Sequence, residues 1–256
     1  MREAILLAAL FLQEDPIGAI LERAEEAGRS PSDITATVTA ETEDKVDESR
    51  SLATGRLVLR ARQAGERALW VELKESRPGA RPARTLIRRQ EAVVLKPGER
   101  AGRVIDLSAA GNFHPFELWR RGLGRWLRER FEIARAGVPG EEDLPPAVSG
   151  PEGVAVAARR ARPQARRKVY DRASPEGPAP GPGHFILDLV PRDAGLRERL
   201  VSLRVYVEPD SCRVVQLVED LPARRVTYTL GDIREVQALE DPVFEMEIRG
   251  TGGDRR

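Results

Sequence analysis

Cysteine and histidine, the side chains best suited to nucleophilic and metal chemistry, are rare in this sequence. Cys212 is the single cysteine, and His114 and His184 are the two histidines among 256 residues. A nucleophilic cysteine needs a neighbouring base, and zinc sites usually take three or four nitrogen or sulfur ligands. Cys212 lies in "EPDSCRVV", where it is predicted to stand at the edge of a turn. We therefore expect no catalytic residue, no metal site and no cofactor.

Carboxylates could support acid–base catalysis, but their spacing in this sequence is ordinary. Glu72 with Glu75, and Glu219 with Asp220, are interpreted as surface and turn acids. The sequence contains no HExxH, no GxSxG and no phosphate-binding loop. These observations predict a protein that is not an enzyme, and a carboxylate-based activity stays open as an alternative.

The charge balance argues against nucleic acid as a partner. Formal net charge is +1, from 42 basic and 41 acidic side chains, so no strong positive field attracts an anionic polymer. One basic run, "ARRARPQARRK" at 158–168, is interpreted as part of a solvated, flexible insertion. The alternative is a contact site for anionic lipid or for a partner protein.

Apolar residues recur with two different periodicities, and these predict the helices and strands that would position a functional site. Apolar residues at helical spacing after Pro16 predict a helix over 15–27. Alternating apolar residues then predict successive antiparallel strands, including a hairpin whose turn is "QAGE" at 63–66. The inward-facing wall residues predicted from this alternation are Leu57, Leu59, Leu69, Val71, Leu73, Phe185, Leu187, Leu203 and Val205.

Residues 111–131 interrupt the strand pattern with an apolar helical stripe. The stripe consists of Phe116, Trp119, Leu123, Trp126 and Leu127, and most of the arginines in this segment lie off it. Glycines at 122 and 124 weaken this helix, so one helix and two short pieces are both left open. The segment is interpreted as a helix packed on the core, as a movable amphipathic lid or as a face that touches a membrane. The lid candidates are residues 113–127 and the helix at 15–27.

Composition divides the chain into one domain with additions. Residues 1–13 have the proportions of a short signal peptide, with a buried helical turn as the alternative. Residues 14–249 are predicted to form a single domain. A segment rich in Pro, Gly and Ala at 136–183 is predicted to be a flexible insertion within it, and 250–256 a disordered tail.

The order of these elements resembles the bacterial outer-membrane lipoprotein carrier and sorting proteins, the LolA/LolB-like family. The similarity lies in "LDLVP" at 187–191, in "LVSLRVYVEPDSCRVVQLVEDLPARRVTYTLGDI" at 200–233 and in "DPVFEMEI" at 241–248. In addition, "HPFELWRRGLGRWLRERFEI" at 114–133 looks like the helical excursion of this family. The resemblance implies a mainly β (α+β) fold, an unclosed and curved antiparallel β-barrel with a helical lid.

The same resemblance implies a function. It would make the protein a periplasmic, monomeric and non-enzymatic carrier that shuttles acyl chains of lipoproteins or lipids toward the outer membrane. An inner-membrane releasing complex and an outer-membrane acceptor would be its partners. Its ligand-binding residues would be the nine wall residues above together with Phe116, Trp119, Leu123 and Trp126. The alternative is a non-catalytic envelope sensor or interaction module on the same fold.

Overall fold

The structure of this chain, a computed structural model, describes residues 16–28, 32–61, 67–99, 101–109, 111–137 and 184–236. The predicted signal peptide, the predicted tail, the final "DPVFEMEI" segment and nearly all of the predicted insertion lie outside the described residues. The first two residues of that insertion, Ala136 and Gly137, are described and end a strand.

Eleven strands and four short helices make up the described chain. In chain order they are α1 (Pro16–Gly28), β1 (Asp33–Asp44), β2 (Arg50–Ala61), β3 (Arg67–Glu75), β4 (Ala83–Arg88), β5 (Glu91–Leu95), β6 (Arg103–Asp106), α2 (Glu117–Arg121), α3 (Arg125–Arg130), β7 (Phe131–Gly137), β8 (Phe185–Pro191), α4 (Ala194–Arg197), β9 (Ser202–Val207), β10 (Val214–Asp220) and β11 (Arg224–Val236).

All of these strands belong to one antiparallel sheet that does not close on itself. The strand order is β6-β5-β4-β3-β2-β1-β11-β10-β9-β8-β7, so β6 and β7 form the two edges. Long pairing of β1 with β11, from Asp33 opposite Val236 to Asp44 opposite Arg224, joins the two halves of the chain. The predicted fold class, a mainly β and unclosed antiparallel architecture, is confirmed.

The period of two in the sequence becomes an apolar row that crosses the sheet. Ile34 lies opposite Leu59, Leu59 opposite Leu69, and Leu69 opposite Ile87 in successive strands. These side chains are buried in the main hydrophobic core together with residues of the helices. Burial of one such aliphatic side chain contributes about 1.5–3 kcal/mol. We call this face of the sheet the inner face, and the helices pack against it.

The segment that interrupts the strands forms two short helices, the second of the two arrangements that its glycines left open. Gly122 separates them: it adopts φ +72°, and its N–H donates to the Leu118 carbonyl at 2.9 Å, which ends α2. A left-handed conformation costs glycine little, whereas other residues adopt it with strain. No helix in the described part of the chain is long and apolar enough to cross a membrane.

Two details of the strands differ from the sequence-based expectations. The alternation in the sequence puts Val201 on the same face as Leu203, but Val201 is 47% exposed because β9 begins after it. It likewise groups Val215 with Leu217, but Val215 is only partly buried because the pairing of β9 with β10 shifts register between Val214 and Gln216. A register shift of this kind places an extra residue in one strand and changes which side chains face inward.

Candidate functional site

Aromatic side chains attach α2 to the inner face of the sheet. The rings of Phe116 and Trp119 stack with centroids 5.2 Å apart. Both rings contact Tyr228 of β11 edge-on, at 5.0 Å from Phe116 and 6.3 Å from Trp119. Each contact of this geometry stabilises the fold by about 0.5–1.5 kcal/mol beyond the stabilisation from burying the rings. These two side chains therefore attach the short helix to the sheet.

A cavity of about 60 Å³ lies between the helices and the inner face. Its walls come from α1, α2, five strands and the turns beside them. The lining residues are Ala24, Ile34, Leu57, Leu59, Arg67, Leu118, Trp119, Gly122, Cys212, Arg213, Val214, Leu230 and Ile233. On this measure one water molecule needs about 10–15 Å³, so the cavity has room for about four or five groups of that size.

Few polar side chains line this cavity among the described residues. Arg67 is 7% exposed, and burial lowers the pKa of its guanidinium, with repulsion from Arg213 as the next cause. The carboxylates of Asp33 and Glu235 have the opposite effect and raise the pKa of Arg67. Arg213 forms an ion pair with Glu235, and 27% of its side chain is exposed. Arg213 therefore marks the end of the cavity that is nearer to solvent.

Two further polar groups in the lining are weakly engaged. The Nε1–H of Trp119 is buried and has no hydrogen-bond partner in the described structure. Cys212 adopts φ +51°, and its Sγ lies 3.6 Å from the Pro209 carbonyl oxygen. Burial raises the pKa of the Cys212 thiol, which disfavours the reactive thiolate. The cysteine therefore contributes a small, poorly reactive side chain to the wall.

A buried ion pair supports α2 from within. The Glu117 carboxyl is 1% exposed, and its Oε1 lies 3.0 Å from Arg121 Nε and 3.7 Å from Arg120 Nη2. Burial raises the pKa of Glu117, and the neighbouring arginines oppose that shift. Arg120 also donates from Nη1 to the Arg67 carbonyl at 3.4 Å. The helix is thus connected to the start of β3, beside the cavity.

Glu219 was interpreted from the sequence as an ordinary turn or surface acid, and that interpretation is wrong. Glu219 is 8% exposed and lies in β10, on the same face as Leu217. Burial raises the pKa of its carboxyl to about 7, opposed by a hydrogen bond with the Tyr228 hydroxyl and by Arg224. A carboxyl–phenol pair therefore lies on the inner face, with the phenol ring beneath Phe116 and Trp119.

The predicted ligand-binding residues occupy two kinds of position. Leu57, Leu59 and Trp119 line the cavity. Leu69, Val71, Phe116, Leu123, Phe185, Leu187, Leu203 and Val205 are buried in the surrounding core, and Leu73 and Trp126 are partly buried against it. Trp126 is held outside the wall, where its Nε1–H donates to the Gly122 carbonyl at 3.0 Å and Arg121 lies over its ring. Their role in binding stays a prediction.

Several lining residues were not predicted from the sequence, although the strand period could have indicated some of them. Arg67 has the same parity as Leu69 and Val71, so the alternation of β3 places it on the inner face. Ile34 and Leu230 each belong to an alternating apolar row in the sequence, but neither was predicted to bind a ligand. Cys212 and Arg213 lie in a turn, where no periodic signal exists. Among the described residues, no group of three or more His, Cys, Asp or Glu is arranged to hold a metal ion.

Comparison with known proteins gives structural similarity alone. No protein-family model and no curated protein sequence matches the chain. A LolA superfamily protein from Nitrosomonas europaea is similar in structure, at 10% identity and a TM-score of 0.42, covering 90% of this chain and 97% of that one. A DUF1329 family protein from Desulfovibrio piger matches at 12% identity and a TM-score of 0.44, covering 91% and 98%.

MucB of Pseudomonas aeruginosa, in its complex with MucA, matches at 12% identity and a TM-score of 0.40, covering 88% of this chain and 59% of that one. The chain is similar in fold to LolA-like proteins. This is the resemblance that the order of elements predicted. All of these TM-scores are below 0.5, and the likeness is one of fold alone.

Proposed function

We propose that this protein is a non-catalytic carrier that binds a hydrocarbon chain in the cavity beneath α2. The observation that supports the proposal is the cavity itself, which is walled mainly by aliphatic side chains and covered by a short helix. Apolar cavities of this kind favour apolar guests, because each buried CH₂ group contributes about 0.8 kcal/mol. No reaction is required of the site.

The volume of the cavity defines how such a carrier would work. Room for four or five small groups accommodates only the end of a chain, with a gain of about 3 kcal/mol. A longer chain has to displace Leu118 and Trp119, whose burial is worth about 1.5–3 kcal/mol each. The closed state therefore competes with the ligand, and this competition makes binding reversible, as a carrier requires.

The carrier hypothesis includes a location and partners. We place the protein in the periplasm, where it would take acyl chains of lipoproteins or lipids from an inner-membrane releasing complex and pass them to an outer-membrane acceptor. The alternative is an envelope sensor or interaction module on the same fold. Mass spectrometry of organic extracts of the purified protein separates them: acyl chains support the carrier, and their absence supports the interaction module.

Titration with a neutral fluorescent probe, N-phenyl-1-naphthylamine, tests the cavity directly. We expect saturable binding that hexadecanol displaces. Trp119→Ala removes part of the wall and cover, and we expect it to change the probe affinity about tenfold. Trp126→Ala is the matched control, because Trp126 lies outside the wall. Absence of saturable binding, or equal effects of the two substitutions, would contradict the proposal.

A further inference from the structure

The polar groups that line the cavity share one chemical property. Among the described lining residues, the polar side chains are the guanidinium groups of Arg67 and Arg213, the indole of Trp119 and the thiol of Cys212. Guanidinium and indole N–H groups can only donate hydrogen bonds, and a thiol is a weak donor and a weak acceptor. No carboxylate, amide or hydroxyl belongs to this set. The lining therefore complements a ligand that carries hydrogen-bond acceptors.

Both of the charged side chains that line the cavity are cationic, which favours an anion among the possible acceptors. Two carboxylates, those of Asp33 and Glu235, lie near the arginines, but both have other contacts. Asp33 Oδ1 accepts the Ala61 N–H at 2.8 Å, and Glu235 pairs with Arg213 at the more exposed end. Arg67 and Arg213 lie close enough for each guanidinium to repel the other, and a bound anion would reduce that repulsion.

Trp119 supplies an independent observation in the same cavity. Trp119 is 7% exposed, and its Nε1–H has no hydrogen-bond partner in the described structure. A buried donor without a partner destabilises the folded state. A ligand acceptor that reaches this N–H would remove that destabilisation. Positive charge and an unsatisfied donor thus occur together beside an aliphatic wall.

We propose that the ligand is an amphiphile with a single hydrocarbon chain and an anionic carboxylate or phosphate head, and that the head contacts Arg67 and Arg213. The chain lies against Leu57, Leu59 and Leu118. This inference depends on the proposed function and narrows it, because it excludes neutral lipids as the preferred ligand. The anionic head is oriented toward solvent, since Arg213 is the partly exposed guanidinium of the pair.

Competition for the neutral probe tests the head group. Palmitate, hexadecyl phosphate and hexadecanol have the same chain length and differ in the head. We expect both anions to displace the probe at concentrations about tenfold lower than hexadecanol, or lower still, because hydrogen bonds to a charged group are about twice as strong as neutral ones. If palmitate displaces the probe at a lower concentration than hexadecyl phosphate does, the ligand is a fatty acid. If hexadecyl phosphate is the better competitor, the ligand has a phosphate head. Either order supports the proposal.

Substitutions assign the effect to the arginines. Arg67→Met and Arg213→Met each keep the aliphatic stem, and we expect each to reduce the preference for anions about tenfold while hexadecanol still binds. Trp119→Phe keeps the ring, removes the N–H, and should weaken the binding of palmitate severalfold. Arg56→Met is the control, because Arg56 is an exposed residue of β2 on the opposite face from Leu57. Retained hexadecanol binding also shows that each variant is folded.

The outcomes separate this inference from the proposed function. If the probe and hexadecanol bind but anions have no advantage, or if the advantage survives both arginine substitutions, the proposed function stands and the anionic head is refuted. If nothing binds, both fail. If inorganic phosphate alone competes as well as hexadecyl phosphate does, the arginines bind a free anion and the amphiphile is refuted.

Discussion

Ionisation of Glu219 is expected to couple the stability of this protein to pH. Burial raises the pKa of this carboxyl to about 7, from an ordinary value of 4.5. Between these values the folded state holds a proton that the unfolded state has lost. The stabilising effect is fully present below about pH 4.5 and is lost as pH rises through about 7. At 1.36 kcal/mol for each pH unit, the whole effect is about 3 kcal/mol.

A second buried group acts in the opposite direction. Burial lowers the pKa of His114 to about 4, from 6.5. Its contribution to stability is present above about pH 6.5 and is lost as pH falls through about 4. The His114 side chain is only partly buried by accessible surface, so we expect solvent to reduce its share. The two effects overlap between pH 4.5 and 6.5, and the wild-type profile alone does not resolve them.

The substitution Glu219→Gln isolates the carboxyl. Glutamine resembles the protonated acid, and His114 contributes equally to both proteins, so their difference in the free energy of unfolding reports on Glu219. From urea unfolding at pH 5, 6, 7 and 8, we expect the advantage of the variant over the wild type to grow by about 2–3 kcal/mol from pH 5 to pH 8. Glu132→Gln, at an exposed position of β7, is the control, and we expect no comparable change there.

The result that refutes this reasoning is a difference that stays constant with pH. Such a result would show that Glu219 is solvated or is fully compensated by its partners. A difference that grows toward acid would reverse the sign and would require that the hydrogen bond with Tyr228 outweighs burial. A tyrosine substitution that keeps the ring, Tyr228→Phe, removes that hydrogen bond and should raise the pKa of Glu219 further.

Three shorter predictions concern packing, charge and reactivity. Gly55→Ala places a Cβ 1.7 Å from the Glu72 carbonyl oxygen, so β2 and β3 must separate, and we expect a loss of at least about 2 kcal/mol in urea unfolding. Asp188→Asn breaks the two-contact pair with Arg204, at 2.6 and 3.0 Å, and should cost about 1 kcal/mol, less at high salt. Cys212 should react slowly with iodoacetamide, and more slowly with palmitate bound, as measured by mass spectrometry.

One result would contradict each of these three predictions. Gly195→Ala is the control for Gly55, because its Cβ would make only an ordinary contact with Asp193; equal losses would point to glycine flexibility as the cause. An unchanged free energy for Asp188→Asn would show that the partly exposed pair is solvated. Faster alkylation of Cys212 with palmitate would show that ligand opens the site without covering the thiol.

The sequence predicted those parts of the fold that local patterns determine. The hairpin of β2 and β3, the helix after Pro16 and the division of the lid segment at Gly122 follow from residues a few positions apart. The strand β7 was not predicted, and its residues were divided between the helical segment and the insertion. It begins at Phe131 without a turn and pairs with β8, about fifty residues later in the chain. No sequence pattern near β7 identifies β8 as its pairing partner.

The site was predicted less well than the fold, and the reason lies in how alternation is read. The apolar residues of a strand identify its inner face, and polar residues on that face are then assigned to the outside by their type. Arg67 and Glu219 both have the parity of buried leucines, and both lie inside. A polar residue that keeps the inward parity of its neighbours is either costly or functional. In this chain such residues include a cavity-lining guanidinium and a carboxyl beneath the lid, so the exceptions to the apolar pattern carry more information about the ligand than the pattern does.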